Sequence, residues 1–284
     1  MDFLQPTSWR EALAIKAERP EAVPVAGGTD VMVDMNFDRF RPEALLDLTR
    51  IEGLSDWAAD DGWVRIGPGV TYTRVIDELR DRLPGLAAAS RTVGSPQIRN
   101  RGTVAGNLGT ASPAGDALPP LLAAGAEVVL ASASGERRLP LAEFCLGPKR
   151  SALGPDELIA AVRTPAAAGP QLFAKVGTRN AMVIAVVSFA LDLDVERRRV
   201  GAAIGSAGPT PLRAAAAERF LEGVLADGSR LSDSAVRRFG ELVAGAASPI
   251  DDVRGTAAYR RHALAVLARR TLSWAWADAR RRRR

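Results

Sequence analysis

Two glycine turns constrain this chain more than any other feature, and the larger of them lies within residues 92–116. This segment mixes glycines, basic residues and short polar side chains without helical or strand periodicity. Gly102 and Gly106 allow the main chain to approach a ligand closely, so that consecutive N–H groups point at one anion. Arg99 and Arg101 add positive charge. Taken alone, the segment fits either an anion-binding cradle or an ordinary glycine-rich surface loop.

The second glycine turn lies within residues 23–32. A short apolar run, which we predict to be a strand, leads into Gly27 and Gly28, and Thr29 follows as the expected N-cap of a helix. Such a turn points main-chain N–H groups at an anion above the glycines. The third glycine of a dinucleotide fingerprint is missing, and the sequence contains no P-loop motif. Two cradles about 75 residues apart predict a diphosphate clamped between them.

The cysteine and histidine content limits the chemistry of this chain. Its 284 residues include a single cysteine, Cys145, and a single histidine, His262. An iron–sulfur cluster needs about four thiolates and a zinc or copper site about three or four ligands, so we expect no metal site here. We predict that His262 is a packing or surface residue of a helix and that Cys145 is a small buried residue rather than a reactive thiol. No catalytic side chain is predicted.

Charge and hydropathy argue against several further classes of protein. The net charge is +5, and much of the excess lies in residues 280–284, which we expect to form a solvated, frayed tail. The few aromatic residues are not interleaved with basic ones, so nucleic-acid binding is not expected. We expect no signal peptide and no membrane-spanning segment, because the longest apolar run, 181–191, is too short. A single cysteine fits a reducing compartment, and we therefore predict a cytoplasmic location.

Several segments, spread along nearly the whole chain, resemble corresponding segments of one protein family and occur in the same order as they do there. They lie at 26–30, 94–107, 112–116, 175–177, 181–188 and 249–262. These segments are similar to the FAD-binding medium subunit of the molybdenum hydroxylases, the family of xanthine dehydrogenase and aerobic carbon monoxide dehydrogenase. The Thr29-Asp30 pair resembles the xanthine dehydrogenase and general hydroxylase branch.

The resemblance implies a function and a set of partners. The chain would carry non-covalent FAD and pass electrons from iron–sulfur clusters on a partner to a terminal acceptor. The [2Fe-2S] clusters would lie on a small subunit and the molybdenum cofactor on a large molybdopterin-binding subunit, with a dimer of heterotrimers as the expected assembly. A histidyl–flavin bond is not expected, because the one histidine lies far along the chain from both turns. The residues leave open which substrate and which terminal acceptor the enzyme uses.

The residues alone, without the resemblance, leave two other functions open. One is a self-contained FAD-dependent oxidase or dehydrogenase with a related two-lobe fold, which would oxidise an organic substrate without added subunits. The other is a non-enzymatic nucleotide-binding or assembly module, which would lack a flavin spectrum.

The resemblance also assigns FAD-contacting residues. The two turns that would hold the pyrophosphate comprise Ala26, Gly27, Gly28, Thr29, Asp30, Thr103, Val104, Ala105, Gly106 and Asn107. Asp116 is expected to hold a sugar or ribityl hydroxyl, and Lys175 to lie near the isoalloxazine. Val93 and Ile159 are expected to flank the cofactor. As alternatives, Lys175 is an exposed residue of an edge strand, and Val93 and Ile159 are ordinary core residues.

The predicted fold class is α+β. The resemblance implies a two-lobed, PCMH-type FAD-binding domain with lobes at 1–56 and 57–168, followed by a C-terminal domain of antiparallel sheet plus helices at 169–284. A capping box of Ser8 and Glu11 predicts a helix that ends near Glu18. The sequence patterns predict further helices near 71–82, 213–225, 232–246 and 256–277, and a turn at 57–62. They predict strands near 24, 45–48, 63–66, 127–131, 172–176, 183–194 and 200–206.

Overall fold

The computed structural model describes residues 1–227 and 230–282, which fold around three sheets of three or more strands. The first part of the chain contains β1 (Asp2–Leu4), α1 (Trp9–Glu18), β2 (Val23–Val25), α2 (Val31–Asn36) and β3 (Ala44–Asp47). Strand β3 lies between β1 and β2 and pairs with both in parallel. The predicted mixture of helix and sheet is therefore confirmed.

Helix α1 begins at the predicted N-cap, Ser8, but Glu11 accepts from the Thr7 amide and not from the Ser8 amide as in a complete capping box. The Ser8 hydroxyl accepts a hydrogen bond from the Glu11 amide at 3.2 Å, and the Glu11 carboxylate accepts one from the Thr7 amide at 2.8 Å. This arrangement satisfies amides that have no partner inside the helix. The helix buries Ala12 against a core that includes Leu46.

A five-stranded antiparallel sheet forms the middle of the chain, in the order β4-β5-β10-β6-β7. The strands are β4 (Trp57–Asp60), β5 (Trp63–Ile66), β6 (Glu127–Ser132), β7 (Gly135–Pro140), β8 (Cys145–Gly147), β9 (Arg150–Ser151) and β10 (Leu158–Pro165), with β8 and β9 forming a separate hairpin. The helices are α3 (Tyr72–Glu78), α4 (Pro84–Ser90), α5 (Pro96–Arg101), α6 (Val104–Thr110), α7 (Leu118–Ala124) and α8 (Leu141–Phe144).

The prediction of a turn over 57–62 is wrong in extent. Residues 57–60 form β4, which pairs with β5, and only Asp61 and Gly62 make the turn. Both have positive φ, 46° and 75°. An Asp-Gly pair with this conformation closes a two-residue hairpin whose twist matches that of the strands.

The segment 92–116, which has no periodicity in sequence, nevertheless contains the helices α5 and α6. Each helix is too short to show periodicity and is defined by its cap instead. Ser95 accepts a hydrogen bond from the Ile98 amide at 3.4 Å, and Thr103 accepts one from the Gly106 amide at 2.9 Å. The glycine turn identified from the sequence is therefore the link between two short helices.

The last part of the chain is an antiparallel sheet covered by helices. The strands β11 (Gln171–Val176), β12 (Val187–Asp194), β13 (Arg199–Gly205) and β14 (Leu212–Arg213) are adjacent in chain order. Helices α9 (Ala215–Ala226), α10 (Asp233–Ala246) and α11 (Ala257–Arg282) follow. The core between sheet and helices includes an edge-to-face pair of Phe189 and Phe239, with ring centroids 6.2 Å apart.

Two predicted boundaries in this part need correction. The strand predicted from residue 183 begins only at Val187. The Val186 amide still donates to the Val176 carbonyl at 2.8 Å, but the Val186 carbonyl accepts from the Arg260 guanidinium at 2.9 Å. Residues 280–282, expected in a frayed tail, extend α11, where Asp278 pairs with Arg281 and Arg282. The final two residues of that predicted tail, 283 and 284, lie outside the described residues.

Helix α7 connects the middle of the chain to the C-terminal sheet, since it packs against both β12 and β13. The approach is close: a Cβ atom on Gly201 would overlap the carbonyl oxygen of Ala123. Among residues 1–227 and 230–282, no helix combines the length and the apolar character needed to cross a membrane.

Candidate functional site

The two glycine turns are in direct contact. A Cβ atom on Gly27 would overlap the carbonyl oxygen of Arg101 and lie 2.9 Å from the Cα of Gly102. Gly28 has φ +73°, a conformation that favours glycine. A hydrogen bond of 2.6 Å between the Thr110 hydroxyl and Asp30 joins the same two segments. The fold therefore brings together the two turns that the sequence places far apart.

A cavity of about 740 Å³ opens where the two turns meet. Most of the residues predicted to bind FAD line it: Ala26, Gly27, Gly28, Thr29, Asp30, Val93, Thr103, Ala105, Gly106, Asn107 and Ile159. Val104, Asp116 and Lys175 are not among the lining residues. Val104 is fully buried in the core beside the cavity. The cavity volume suits a large ligand such as a dinucleotide.

Sequence reasoning missed several lining residues. Tyr72, at the start of α3, lies beneath the second turn, because its amide donates to the Gly102 carbonyl at 3.1 Å. Asp34 and Lys149 form an ion pair of 3.1 Å on the cavity wall. No local motif marks any of these positions, since they reach the cavity only through tertiary packing.

Thr29 is not the N-cap that we predicted. Helix α2 begins at Val31, and the residue before it, Asp30, makes no side-chain hydrogen bond to the helix. The Asp30 carboxylate binds Thr110 instead. The Thr29 hydroxyl lies against Gly102, whose Cβ would be 3.4 Å away. Both side chains are therefore engaged with the second turn rather than with α2.

The positively charged side chain that lines the cavity is not one of the two arginines that the sequence suggested. The Arg99 guanidinium donates to the carbonyl oxygens of Val93 and Gly94, at 3.0 and 3.1 Å. Neither Arg99 nor Arg101 lines the cavity. Within the described chain, Lys149 is the single lysine or arginine among the lining residues.

Asp116 and Lys175 form a buried ion pair of 2.6 Å, each side chain being 8% exposed. Lys175 also donates to the Thr92 carbonyl at 3.2 Å, and the Thr92 hydroxyl donates to Asp116 at 3.2 Å. Burial raises the pKa of Asp116, against the opposing effect of Lys175. The alternative of an exposed edge lysine is therefore wrong. Asp116 does not cap α7, which begins after Ala117 without a side-chain cap.

Three buried polar atoms near the cavity have no hydrogen-bond partner within the described chain: the Tyr72 hydroxyl, Asn107 Oδ1 and Asp116 Oδ1. Tyr72 and Asn107 both line the cavity. Burial, together with the carboxylates of Asp116 and Asp30, raises the pKa of Tyr72 well above its usual value, so the phenol stays neutral. A glycine cradle that leaves no room for a Cβ, beside unpaired donors and acceptors, fits a phosphate- and hydroxyl-rich ligand such as FAD.

The chain's cysteine and histidine lie outside this site. Cys145 is partly buried, and burial raises the pKa of its thiol to about 11, so the thiol is protonated, as expected. His262 is exposed on α11, which confirms it as a surface helix residue. Over residues 1–227 and 230–282, no group of three or more His, Cys, Asp or Glu side chains is arranged to hold a metal ion.

The fold and site define an FAD-binding flavoprotein. The model of the FAD binding domain in molybdopterin dehydrogenase matches residues 1–167, and that of the CO dehydrogenase flavoprotein C-terminal domain matches residues 173–275. The chain therefore belongs to the flavoprotein family of the molybdopterin dehydrogenases. The resemblance stated from the sequence motifs, and the FAD cofactor that it implied, are confirmed.

Several known relatives match over nearly their whole length. A putative xanthine dehydrogenase FAD-binding subunit of Escherichia coli is 29% identical over 95% of this chain and 94% of its own. A nicotine 6-hydroxylase medium subunit of Paenarthrobacter nicotinovorans is 30% identical over 95% of both chains. The structure of carbon monoxide dehydrogenase from Hydrogenophaga pseudoflava, without the Mo-pyranopterin moiety, matches with a TM-score of 0.91 and 29% identity over 98% of both chains.

Proposed function

We propose that this chain is the FAD-carrying, electron-transferring subunit of a molybdenum-containing hydroxylase or dehydrogenase. The contact between Gly27 and Arg101 carries the proposal, because it joins the two predicted diphosphate turns at one cavity. Relatives named as FAD-binding or medium subunits support a subunit over a self-contained oxidase. Relatives of near-equal identity are named for xanthine, nicotine and carbon monoxide, so identity favours no one substrate.

The chain's residues would hold FAD mainly through the backbone. The turn at 26–30 would bind the diphosphate with its main-chain amides, because only glycine fits at position 27. Residues 103–107 would contribute at the start of α6 through Thr103 and Ala105, because the amides of Val104, Gly106 and Asn107 already donate to oxygen atoms of the chain. Val93 and Ile159 would flank the cofactor with apolar contacts. Asp116 would hold a hydroxyl, and Lys175 would lie near the isoalloxazine while fixing that carboxylate through their ion pair.

Bound FAD supplies the ability to accept electrons singly and to release them as a pair. The protein would hold the cofactor in place and tune it through nearby charges and hydrogen bonds. Tyr72, Asp116 and Lys175 are the buried polar groups that would set this environment. No proton-transferring or nucleophilic side chain is needed for this role.

We propose the partners that the family implies. An iron–sulfur small subunit would deliver electrons, and a molybdopterin-binding large subunit would oxidise the substrate. Two such heterotrimers would associate in the cytoplasm. The chain would divide into FAD-binding lobes at 1–56 and 57–168 and a C-terminal flavoprotein domain at 169–284.

Purification from the native host tests this proposal. We expect the chain to co-purify with subunits that contain molybdenum, iron and sulfide, and to contribute a flavin spectrum. Acid denaturation should release all the FAD into the supernatant, because no covalent link is expected. A polypeptide that purifies alone, oxidises an organic substrate without partners, or retains yellow colour after denaturation would contradict the proposal.

A further inference from the structure

The cavity wall has an unusual charge balance for a site that binds a diphosphate. Its charged lining residues within the described chain are two carboxylates, Asp30 and Asp34, and one ammonium group, that of Lys149. Asp30 is occupied by a 2.6 Å hydrogen bond from Thr110. A diphosphate brings further negative charge into this space, so the position of the ammonium group matters for binding.

Lys149 is free to change partner. Its ion pair with Asp34 is 3.1 Å long, and the lysine side chain is 65% exposed. Exposed ion pairs between flexible side chains contribute little to stability, so this contact is readily exchanged. Asp34 also lies 3.7 Å from the Arg39 guanidinium, and it would keep that positive neighbour if Lys149 left.

The backbone holds Lys149 beside the glycine turns. Its amide donates to the Ala111 carbonyl at 3.1 Å, directly after α6, the helix that follows the second turn. Lys149 also adopts φ +54°, a left-handed conformation that is uncommon outside glycine. This anchoring places the base of a long, mobile cationic side chain at the cavity edge.

We infer that Lys149 is a diphosphate-binding residue that exchanges Asp34 for a phosphate oxygen when FAD binds. This inference rests on the proposed function, because it assumes that the turns hold the diphosphate of FAD. Main-chain amides would position the diphosphate, and Lys149 would supply the neutralising charge that Arg99 and Arg101 do not. Asp34 would act as a competitor for the lysine and therefore set the affinity.

Flavin titration of the full chain after removal of FAD tests the inference. Lys149→Gln should raise the Kd for FAD about ten-fold at low ionic strength, and this difference should shrink at high salt. Lys149→Arg should stay within about two-fold of the wild type. Asp34→Asn should lower the Kd, because it frees the lysine and removes a negative charge. Competition by ADP, which carries the diphosphate without the flavin, should weaken in Lys149→Gln.

Arg150→Gln is the matched control, since it removes the same charge from the adjacent exposed residue, which does not line the cavity. Its Kd should equal that of the wild type. Equal losses in Lys149→Gln and Arg150→Gln would overturn the inference, as would a raised Kd in both Lys149→Gln and Asp34→Asn, which would indicate a structural pair. Failure of the wild-type chain to bind FAD would instead refute the proposed function.

Discussion

The main chain of Gly27 packs directly against the carbonyl oxygen of Arg101, so that no side-chain atom fits between them. This contact joins the turn after β2 to the end of α5, two segments that are distant in sequence. Residues of both turns line the same cavity beside this contact. The spacing of the two turns is therefore fixed by the absence of a Cβ atom.

Gly27→Ala should separate the two turns. The added methyl group overlaps backbone atoms, which cannot rotate away, so we expect a loss of about 1–3 kcal/mol in the free energy of unfolding. Under the proposed function, the affinity for FAD should fall by at least about ten-fold, because amides of both turns would no longer point at the same diphosphate. Urea denaturation and FAD titration of the same preparation measure the two effects.

Gly223→Ala provides the matched control. Gly223 lies inside α9, and a Cβ atom there would meet no atom within 4 Å. Alanine favours a helix interior over glycine, so this variant should gain about 0.5–1 kcal/mol and bind FAD as the wild type does. Equal stability of the two alanine variants would contradict the close contact at Gly27.

Tyr72→Phe should not destabilise the FAD-free chain. The hydroxyl is buried and has no hydrogen-bond partner within the described residues, so its removal costs no protein–protein bond. We expect the free energy of unfolding to rise or to change by less than about 0.5 kcal/mol, whereas Tyr72→Ala should lose about 3–5 kcal/mol through the cavity it leaves. A loss above about 1.5 kcal/mol in Tyr72→Phe would show that the hydroxyl is bonded in the folded chain.

The Cys145 thiol should react slowly in the folded chain. Burial raises its pKa to about 11, so on the order of one thiol in a thousand is ionised at pH 8. We expect alkylation by iodoacetamide at pH 8 to be at least about 100-fold slower in the native chain than in urea. Because the chain has one cysteine, mass spectrometry follows this site directly. Equal rates in the two conditions would refute a protected thiol.

Residues with a local signature could be predicted from the sequence. The capping box at Ser8 and the glycines at 27 and 28 are signals within a few residues of one another, and they identified α1 and the first turn. The Asp61-Gly62 hairpin also has such a signal, which the turn prediction over 57–62 did not use. The caps at Ser95 and Thr103 define helices too short for periodicity, so the sequence pattern did not reveal these two helices.

Residues that act through tertiary contacts could not be found in this way. Tyr72 and Lys149 line the cavity because α3 and the β8–β9 hairpin pack around it, and neither belongs to a motif. Arg99 shows the converse: it lies within the motif but binds two carbonyl oxygens of its own segment. The charge inside the cavity therefore depends on the folded arrangement and not on the composition of the turns.

Lys175→Met should destabilise the chain in a pH-dependent way. At neutral pH it leaves the buried Asp116 carboxylate without its ion-pair partner, which costs about 3–5 kcal/mol. Arg238→Met is the control, because it breaks an exposed pair with Glu241 and should cost less than about 1 kcal/mol. Urea denaturation at several pH values measures both variants.

The sign of the pH effect follows from the pKa of Asp116. Burial already raises this pKa above its ordinary value of 3.8, and Lys175 is the largest influence that opposes the rise. Without the lysine, the pKa in the folded chain rises further, so the folded form binds a proton that the unfolded form has released. Stability of Lys175→Met must then fall as pH rises from about 3.8 through the folded-state pKa. The deficit relative to the wild type should be smaller at pH 4 than at pH 7, and an equal deficit at both would show that Asp116 is not ionised in the native pair.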